Sequence, residues 1–375
     1  MLKRTALYET HRQAGGRLIE FGGWEMPVQY TSIMEEHQAV RNAAGIFDIS
    51  HMGEVRVSGA GAANFLNATL TNDIRKLNVL EGQYTLMCNP SGGVVDDLYA
   101  YRLAPEEFLL VINASRIDDD VAWLEKALAS SPFRSDTTLE NVSDAQSAVA
   151  VQGPRVVEFI DSCFDSGKNS KPATLKKNQA TQADFQGKSI LIARTGYTGE
   201  DGFEIIAANE LIDAIWTRVM ETGKAFGIKP AGLGARDTLR TEVCYPLYGH
   251  ELDEKTTPIE AGVGFFVALD KGDFTGRSVL ARQKSEGVSK RLVAFKMADK
   301  SAPPRPHYAI WSTGPDSRIL GEIVSGTQSP TLGNGIGLGY VPPEFSKPGT
   351  TLEIEIRGKR SPAIVVQKPF YRKAG

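Results

Sequence analysis

The end of the chain carries the pattern that most restricts its fold. Residues 352–357 have the sequence Leu-Glu-Ile-Glu-Ile-Arg, so apolar side chains recur at every second position. Such alternation places one side of a strand in a core and the other in solvent. Residues 291–297 and 319–325 are also strand-like, and proline and glycine separate these segments. We therefore expect a separate C-terminal β domain of roughly ninety residues, at 288–375.

The preceding part of the chain mixes helix and strand patterns, which indicates an α+β region. Between Glu210 and Lys224 the apolar residues form one wide stripe at helical spacing. Strand patterns occur at 54–58, 108–112 and 203–207. A chain of 375 residues is long enough for two or three domains. We place the α+β region at 1–280, ahead of the β domain.

Charge and cysteine content argue against several classes of protein. The net charge is −3, whereas a protein whose main partner is nucleic acid or an anionic membrane usually presents a basic face. No apolar run is long enough to span a bilayer, and the N-terminal segment lacks the apolar core of a signal peptide. Cys88, Cys163 and Cys244 are far apart, which favours reduced thiols over disulfides. We expect a cytoplasmic protein that binds neither nucleic acid nor a membrane.

Three familiar motifs are incomplete in this sequence. Residues 59–64 follow a strand and open a helix, but they lack the third glycine of a dinucleotide fingerprint. Ser50 and His51 are adjacent in an extended segment, so their side chains would point to opposite faces and not to each other. The histidines show no metal-ligand spacing. We therefore expect no metal site, and an ordinary strand–turn–helix at 59–64.

Two adjacent carboxylates lie inside an apolar strand pattern at residues 92–101. Two glycines form a turn, and Asp96 and Asp97 follow within the strand. Alternation sends the two side chains to opposite faces, so one of them points inward. A buried carboxylate needs partners or a raised pKa, as an acid, a base or an amine-orienting group does. The alternative is an aspartate that caps the turn at the strand end.

A second carboxylate and an arginine lie in glycine-rich segments further along. Glu204 follows three glycines and sits in a strand pattern, where a carboxylate can accept two parallel N–H bonds from a flat amidine-like edge. Pteridines and guanines present that edge. Residues 232–240 form a loop that leads into a helix, and Arg236 there could hold a carboxylate or a heteroatom-rich ring. The alternatives are a glycine-built hairpin and an exposed capping loop.

Taken together, these segments resemble the aminomethyltransferase of the glycine cleavage system, the T-protein family. The matching segments, in chain order, are 21–27, 47–54, 92–98, 196–204, 232–240, 247–254 and 329–333. Residues 368–371 are similar to the C-terminal end of the family. No single segment is decisive, but the ordered set is highly specific and covers essentially the whole chain.

The resemblance implies a three-domain α+β cloverleaf. Two intertwined mixed α/β subdomains with antiparallel sheets would bind folate in a central cavity, and the C-terminal domain would be a β-barrel or jelly-roll-like fold. It also implies a reaction of glycine catabolism and one-carbon metabolism. The methylene carbon of S-aminomethyl-dihydrolipoyl H-protein passes to tetrahydrofolate, the co-substrate, and the products are 5,10-methylenetetrahydrofolate and ammonia. The resemblance thus implies lipoylated H-protein as the partner.

The resemblance also assigns residues to roles. Asp97 corresponds to the catalytic carboxylate at the folate, Glu204 to the pterin-binding carboxylate and Arg236 to a folate-contacting arginine. The further folate-contacting positions are Tyr84, Tyr101, Asn113, Tyr197 and Tyr371. The sequence departs from the family at 241–246, where the usual Leu-Glu-Ala-Gly after Arg240 is replaced by Thr-Glu-Val-Cys-Tyr-Pro. Two rival functions remain open: a folate-dependent demethylase of a small amine or sulfonium, and a non-catalytic folate-binding protein.

Overall fold

The computed structural model describes residues 2–373, which form two compact units. The first comprises residues up to 69, 73–85 and 98–237, and the second comprises 70–72, 86–97 and the chain from 238 onward. The helices are α1 Tyr8–Gln13, α2 Ile33–Asn42, α3 Ala62–Thr69, α4 Ile117–Ala129, α5 Asn209–Gly223, α6 Leu233–Glu242 and α7 Arg277–Glu286. None of the described helices is long and apolar enough to cross a membrane.

The strands that precede the C-terminal domain form separate sheets. Their bounds are β1 Arg17–Phe21, β2 Trp24–Gln29, β3 Ala44–Asp48, β4 Gly53–Ser58, β5 Glu81–Cys88, β6 Val94–Ala104, β7 Glu107–Ile112, β8 Thr138–Asn141, β9 Gln146–Gln152, β10 Ala180–Phe185, β11 Lys188–Ala193, β12 Gly202–Ala208 and β13 Ile228–Pro230. β1 and β2 form a hairpin, one sheet has the order β10-β11-β12-β9-β3-β13, and another has the order β5-β6-β7-β4-β8. In the six-stranded sheet β10-β11-β12-β9-β3-β13, all neighbouring strands are antiparallel except β13 and β3, which are parallel.

Helix α5 shows how the first unit builds its core. The predicted apolar stripe is buried at Leu211, Ile212, Ile215, Trp216 and Val219, and it joins a cluster that includes inward residues of β9 and β12. Complete burial of one such side chain contributes about 1.5–3 kcal/mol relative to an exposed one. The stripe therefore fixes the helix against the sheet that carries Glu204.

The C-terminal segment closes into a barrel. Its strands are β14 Arg291–Met297, β15 Ala309–Trp311, β16 Ile319–Gln328, β17 Gly335–Val341, β18 Thr351–Ile356 and β19 Lys359–Val366. The closed order is β14-β17-β16-β15-β18-β19, and closure removes the exposed edges of a sheet. In β18, Leu352, Ile354 and Ile356 are buried, as the alternation predicted. The expected α+β class with a C-terminal β-barrel is confirmed.

Glu54 in β4 is a buried carboxyl group that forms no ion pair with any residue from 2 to 373. It is 0% exposed, and neither carboxyl oxygen has a hydrogen-bond partner among residues 2–373. Burial raises its pKa to about 8, because removal from water disfavours the charged form. A raised folded-state pKa contributes stability that is present at low pH and is lost as the pH rises through about 8.

We therefore expect Glu54→Gln to gain stability over the wild type as the pH rises from 5 to 8. Glutamine keeps the shape but cannot ionise, and the relative gain should be on the order of 2 kcal/mol. Urea unfolding across this pH range measures it. Glu140→Gln, on an exposed residue of β8, serves as the control. Parallel pH profiles for Glu54→Gln and the wild type would show that Glu54 ionises normally.

Candidate functional site

Glu204 lies in β12 within a short hydrogen-bonded chain. Backbone pairing with Ala193 and Ala150 places it in the interior of the sheet. Its Oε2 accepts a hydrogen bond from Thr195 Oγ1 at 2.6 Å, and Thr195 Oγ1 lies 3.0 Å from the Tyr101 hydroxyl. Burial, followed by the charge of Glu204, raises the pKa of Tyr101 well above its ordinary value. Glu204 is therefore held in a fixed orientation while remaining only half-buried.

Arg236, in the first turns of α6, carries a buried donor that nothing in the described chain satisfies. Its guanidinium lies 4.7 Å from the centroid of the Tyr197 ring. Its Nη1 atom is buried and has no hydrogen-bond partner in residues 2–373. Burial lowers the pKa of Arg236, whereas Tyr197 and then Glu204 act in the opposite direction. An arginine nitrogen can only donate, so this atom could hold an acceptor supplied by a ligand.

Hydrogen bonds with the Gln152 side chain hold the loop that carries Tyr197. Gln152 Nε2 donates to the Thr195 carbonyl at 3.0 Å, and Thr198 Oγ1 donates to Gln152 Oε1 at 2.9 Å. A Cβ on Gly196 would lie 1.9 Å from Gln152 Oε1, so only glycine fits. Arg41 Nη1 donates to the Thr198 carbonyl at 2.7 Å. Gly196 thus leaves room for Gln152, which binds this segment through Thr195 and Thr198.

Tyr84 lies on β5, and Tyr99 and Tyr101 lie on the neighbouring strand β6. The Tyr99 and Tyr101 rings lie 4.9 Å apart between centroids. A Cβ on Gly82 would meet both rings at 2.5–2.7 Å, so the glycine lets the strand approach them. Alternation places Tyr84 on the same strand face as Gly82. Asn113, at the end of β7, begins the short 3₁₀ turn that leads into α4.

The predicted residues Asp97 and Tyr371 belong to the second unit. In β6, Asp96 is 0% exposed, whereas Asp97 is half-buried, so the two side chains occupy different environments, as alternation requires. The backbone N–H of Tyr371 donates to the carbonyl oxygen of Glu242 at 2.9 Å. The Glu242 carboxylate in turn accepts from Ser329 Oγ at 2.5 Å.

The unusual segment after Arg240 keeps a regular helix end. Cys244 has φ 57°, a left-handed conformation that favours glycine. Cys244 stands where the family resemblance implies glycine, and a cysteine in this conformation costs about 1–2 kcal/mol. The amide of Tyr245 donates to the Arg240 carbonyl at 3.0 Å.

Sequence patterns marked the carboxylates and the arginine as candidates, and the tyrosines were assigned by the family resemblance alone. Thr195 and Tyr99, which contact these candidates in the structure, and Gln152, which contacts Thr195, were not predicted. Tyr99 had a usable signal, because Tyr99 and Tyr101 recur at strand spacing in β6. Thr195 and Gln152 act through partners that are distant in sequence, and no local pattern marks them. Within residues 2–373 no group of three or more His, Cys, Asp or Glu side chains could hold a metal ion.

Comparison with known proteins connects this geometry to a family. Residues 7–271 match the GCVT N-terminal domain, and residues 290–372 match the glycine cleavage T-protein C-terminal barrel domain. The chain is 46% identical over 375 residues to an aminomethyltransferase of Bacillus subtilis, with 100% of each chain covered. It is 45% identical to an aminomethyltransferase of Alkaliphilus oremlandii, covering 100% of this chain and 98% of the relative.

A solved structure agrees with both matches. The glycine cleavage system aminomethyltransferase T from Bartonella henselae superposes with a TM-score of 0.90 at 30% identity, and the alignment covers 100% of this chain and 99% of that one. Sequence identity, domain order and fold therefore agree over the full length. The chain belongs to the glycine cleavage T-protein family of aminomethyltransferases.

Proposed function

We propose that this protein transfers the methylene carbon of S-aminomethyl-dihydrolipoyl H-protein to tetrahydrofolate, giving 5,10-methylenetetrahydrofolate and ammonia. Two observations carry the proposal: Glu204 is a carboxylate held in place by Thr195, and its charge acts on Arg236, whose buried Nη1 atom has no acceptor among residues 2–373. Lipoylated H-protein would supply the aminomethyl group, tetrahydrofolate would be the co-substrate, and the reaction would take place in the cytoplasm.

The pterin ring matches this pair of side chains chemically. Its amino group and adjacent ring N–H form a flat donor edge, which a carboxylate such as Glu204 accepts through two parallel bonds. The neighbouring carbonyl oxygen is an acceptor, which the Nη1 atom of Arg236 lacks. Tyr101 and Tyr197 would offer ring faces, and Tyr84, Asn113 and Tyr371 would complete the folate contacts. A ligand that lacks one of these hydrogen-bonding groups would leave Glu204 or Arg236 without its partner, and this cost makes the site selective for the pterin ring.

Asp97 is the proposed catalytic carboxylate. Alternation along β6 puts it on the strand face that carries Tyr99 and Tyr101, opposite Asp96. The folate nitrogens are weak nucleophiles, and the donor must lose its thiolate as an iminium forms. A fixed carboxylate can orient the attacking nitrogen, stabilise the developing cation and accept a proton. Exclusion of water would protect the iminium from hydrolysis.

Binding of tetrahydrofolate tests the site first. At a hundredfold excess over Kd, a ligand that binds only the folded state stabilises it by about 2.7 kcal/mol, which a thermal shift detects. We expect Glu204→Gln to weaken binding by about 1–3 kcal/mol, since one acceptor becomes a misplaced donor. Glu210→Gln, on an exposed residue of α5 that pairs with Lys188, is the matched control. Wild-type affinity in Glu204→Gln would remove this carboxylate from the site.

Transfer from H-protein separates the proposal from its rivals. A folate-dependent demethylase would form product from a small methylated amine or sulfonium without H-protein. A non-catalytic folate-binding protein would show the thermal shift but would form no product from any of these donors. Formation of 5,10-methylenetetrahydrofolate from aminomethylated H-protein is expected of the proposed transferase and of neither rival.

A further inference from the structure

Glu36 is a buried carboxylate on α2 to which the proposed mechanism gives no role. It is 0% exposed, and acidic side chains are seldom buried in proteins unless they have partners. Its Oε1 atom accepts from the backbone amides of Tyr30 at 2.6 Å and Thr31 at 2.9 Å. Its Oε2 atom accepts from the backbone amide of Gly232 at 2.9 Å. Glu36 therefore joins the segment after β2 to a loop that is far away in the sequence.

That loop begins the helix that carries Arg236. Helix α6 starts at Leu233, and the carbonyl of Gly232 accepts from the Arg236 amide at 3.1 Å. This is the hydrogen bond that closes the first turn of a helix. The first amides of a helix have no partner within the helix, and Glu36 accepts from the amide at Gly232. A negative charge at this end of a helix is also favoured by the helix dipole.

Close packing leaves the loop before α6 little room. A Cβ on Gly232 would lie 2.5 Å from the backbone carbonyl group of Val28, so only glycine fits there. The amide of the preceding Ala231 donates to the carbonyl oxygen of Ile46 at 2.9 Å. The start of α6 is thus packed on β2 and bonded to β3. Because protein interiors are densely packed, a displacement at Gly232 would be passed on along the helix.

The Arg236 side chain depends on that helix for its position. Its guanidinium lies 4.7 Å from the centroid of the Tyr197 ring, and its buried Nη1 atom has no hydrogen-bond partner in the described chain. No hydrogen bond within residues 2–373 therefore holds Nη1 in place. We propose that Glu36 is a positioning residue: its carboxylate fixes the start of α6 and thereby the place of Arg236 Nη1, where the pterin carbonyl oxygen binds. This inference rests on the proposed function.

Glu36→Gln tests this role without a change in side-chain size. When the glutamine oxygen accepts the two hydrogen bonds that Oε1 accepts now, its NH₂ group faces the amide of Gly232, a donor against a donor. We expect tetrahydrofolate binding to weaken about tenfold. Glu35→Gln is the matched control, because Glu35 is the neighbouring residue on α2, is exposed and pairs with Lys229. This control should bind tetrahydrofolate as the wild type does.

A double-mutant cycle with Arg236→Met separates positioning from a general loss of structure. If Glu36 acts through Arg236, Glu36→Gln should weaken binding by less than about twofold when residue 236 is already methionine. A second ligand gives an independent readout. A 2,4-diaminopteridine analogue of tetrahydrofolate carries an amino group in place of the carbonyl oxygen. Glu36→Gln and Arg236→Met should each lose about tenfold of the wild-type preference for the carbonyl form.

Urea unfolding shows whether each variant is folded. If Glu36→Gln does not fold, Glu36→Asp takes its place in the cycle and should show the same coupling, since its carboxylate is one methylene too short to serve all three amides. Wild-type affinity, additive losses in the cycle or an unchanged preference, in a folded variant, would overturn the inference and leave the proposed function standing. Absence of tetrahydrofolate binding by the wild type would overturn both.

Discussion

Asp97→Asn is expected to lower turnover by about 10² or more while tetrahydrofolate affinity changes little. Asparagine keeps the size of the side chain and can still hydrogen-bond, but it cannot accept a proton or stabilise a cation by charge. The loss therefore falls on the transition state and spares the ground state. Formation of 5,10-methylenetetrahydrofolate from aminomethylated H-protein measures turnover, and equilibrium binding of tetrahydrofolate measures affinity.

The neighbouring carboxylate supplies the control for Asp97. Asp96 is 0% exposed, so Asp96→Asn should act mainly through stability, and the melting temperature of each variant records this. Turnover equal to that of the wild type in Asp97→Asn would remove Asp97 from the mechanism. Loss of turnover confined to Asp96→Asn would assign the catalytic role to the buried carboxylate.

Glu251→Gln is expected to destabilise the second unit by about 3–5 kcal/mol. The Glu251 carboxylate accepts from Arg240 Nη1 at 2.9 Å, and the two side chains are 0% and 2% exposed. Loss of the negative charge leaves the buried guanidinium of Arg240 without its counter-ion. Arg240 also donates to Ser325 Oγ in the barrel at 2.7 Å, so the damage should reach β16. Urea unfolding followed by circular dichroism measures the free energy.

Removal of both charges distinguishes a broken ion pair from simple loss of packing. The double variant Arg240→Met with Glu251→Leu should recover part of the lost stability, because no unpaired charge stays buried. Ser325 and the backbone amide of Leu247, which donates to Glu251, would still lose a partner, so recovery should be incomplete. Additive losses in the double variant would show that the two side chains are not energetically coupled.

The spacing of apolar residues along the sequence predicted which faces of individual helices and strands are buried. The stripe of α5 and the alternation of β18 are buried as their spacing predicts, because burial on one face is a direct consequence of helix or strand geometry. The alternation of apolar residues did not predict the order of the strands in the sheets. Strands β3 and β9 pair although they are far apart in sequence, and a repeat of two residues does not encode which strand lies beside which.

The candidate site also contains residues that a local sequence pattern marks and residues that no local pattern marks. Glu204 was recognisable as a carboxylate inside an apolar strand, but its partner Thr195 was not, since a threonine in a glycine-rich loop carries no distinctive pattern. His51 was considered as a partner for Ser50 and as a metal ligand, because the sequence does not show that burial leaves its Nδ1 atom without a hydrogen-bond partner among residues 2–373. At Cys244 the sequence comparison came first and the structure supplied the reason. The family resemblance marked the position as unusual, and the positive φ explains why glycine suits it.

The most direct measurement is a single-turnover reaction with H-protein whose aminomethyl group carries labelled carbon and labelled nitrogen. With the protein and tetrahydrofolate both present, we expect labelled 5,10-methylenetetrahydrofolate and labelled ammonia in equal amounts, and neither product at a comparable rate when one component is omitted. Tetrahydrofolate binding without transfer of the labelled carbon to the folate would contradict the proposed aminomethyltransferase activity.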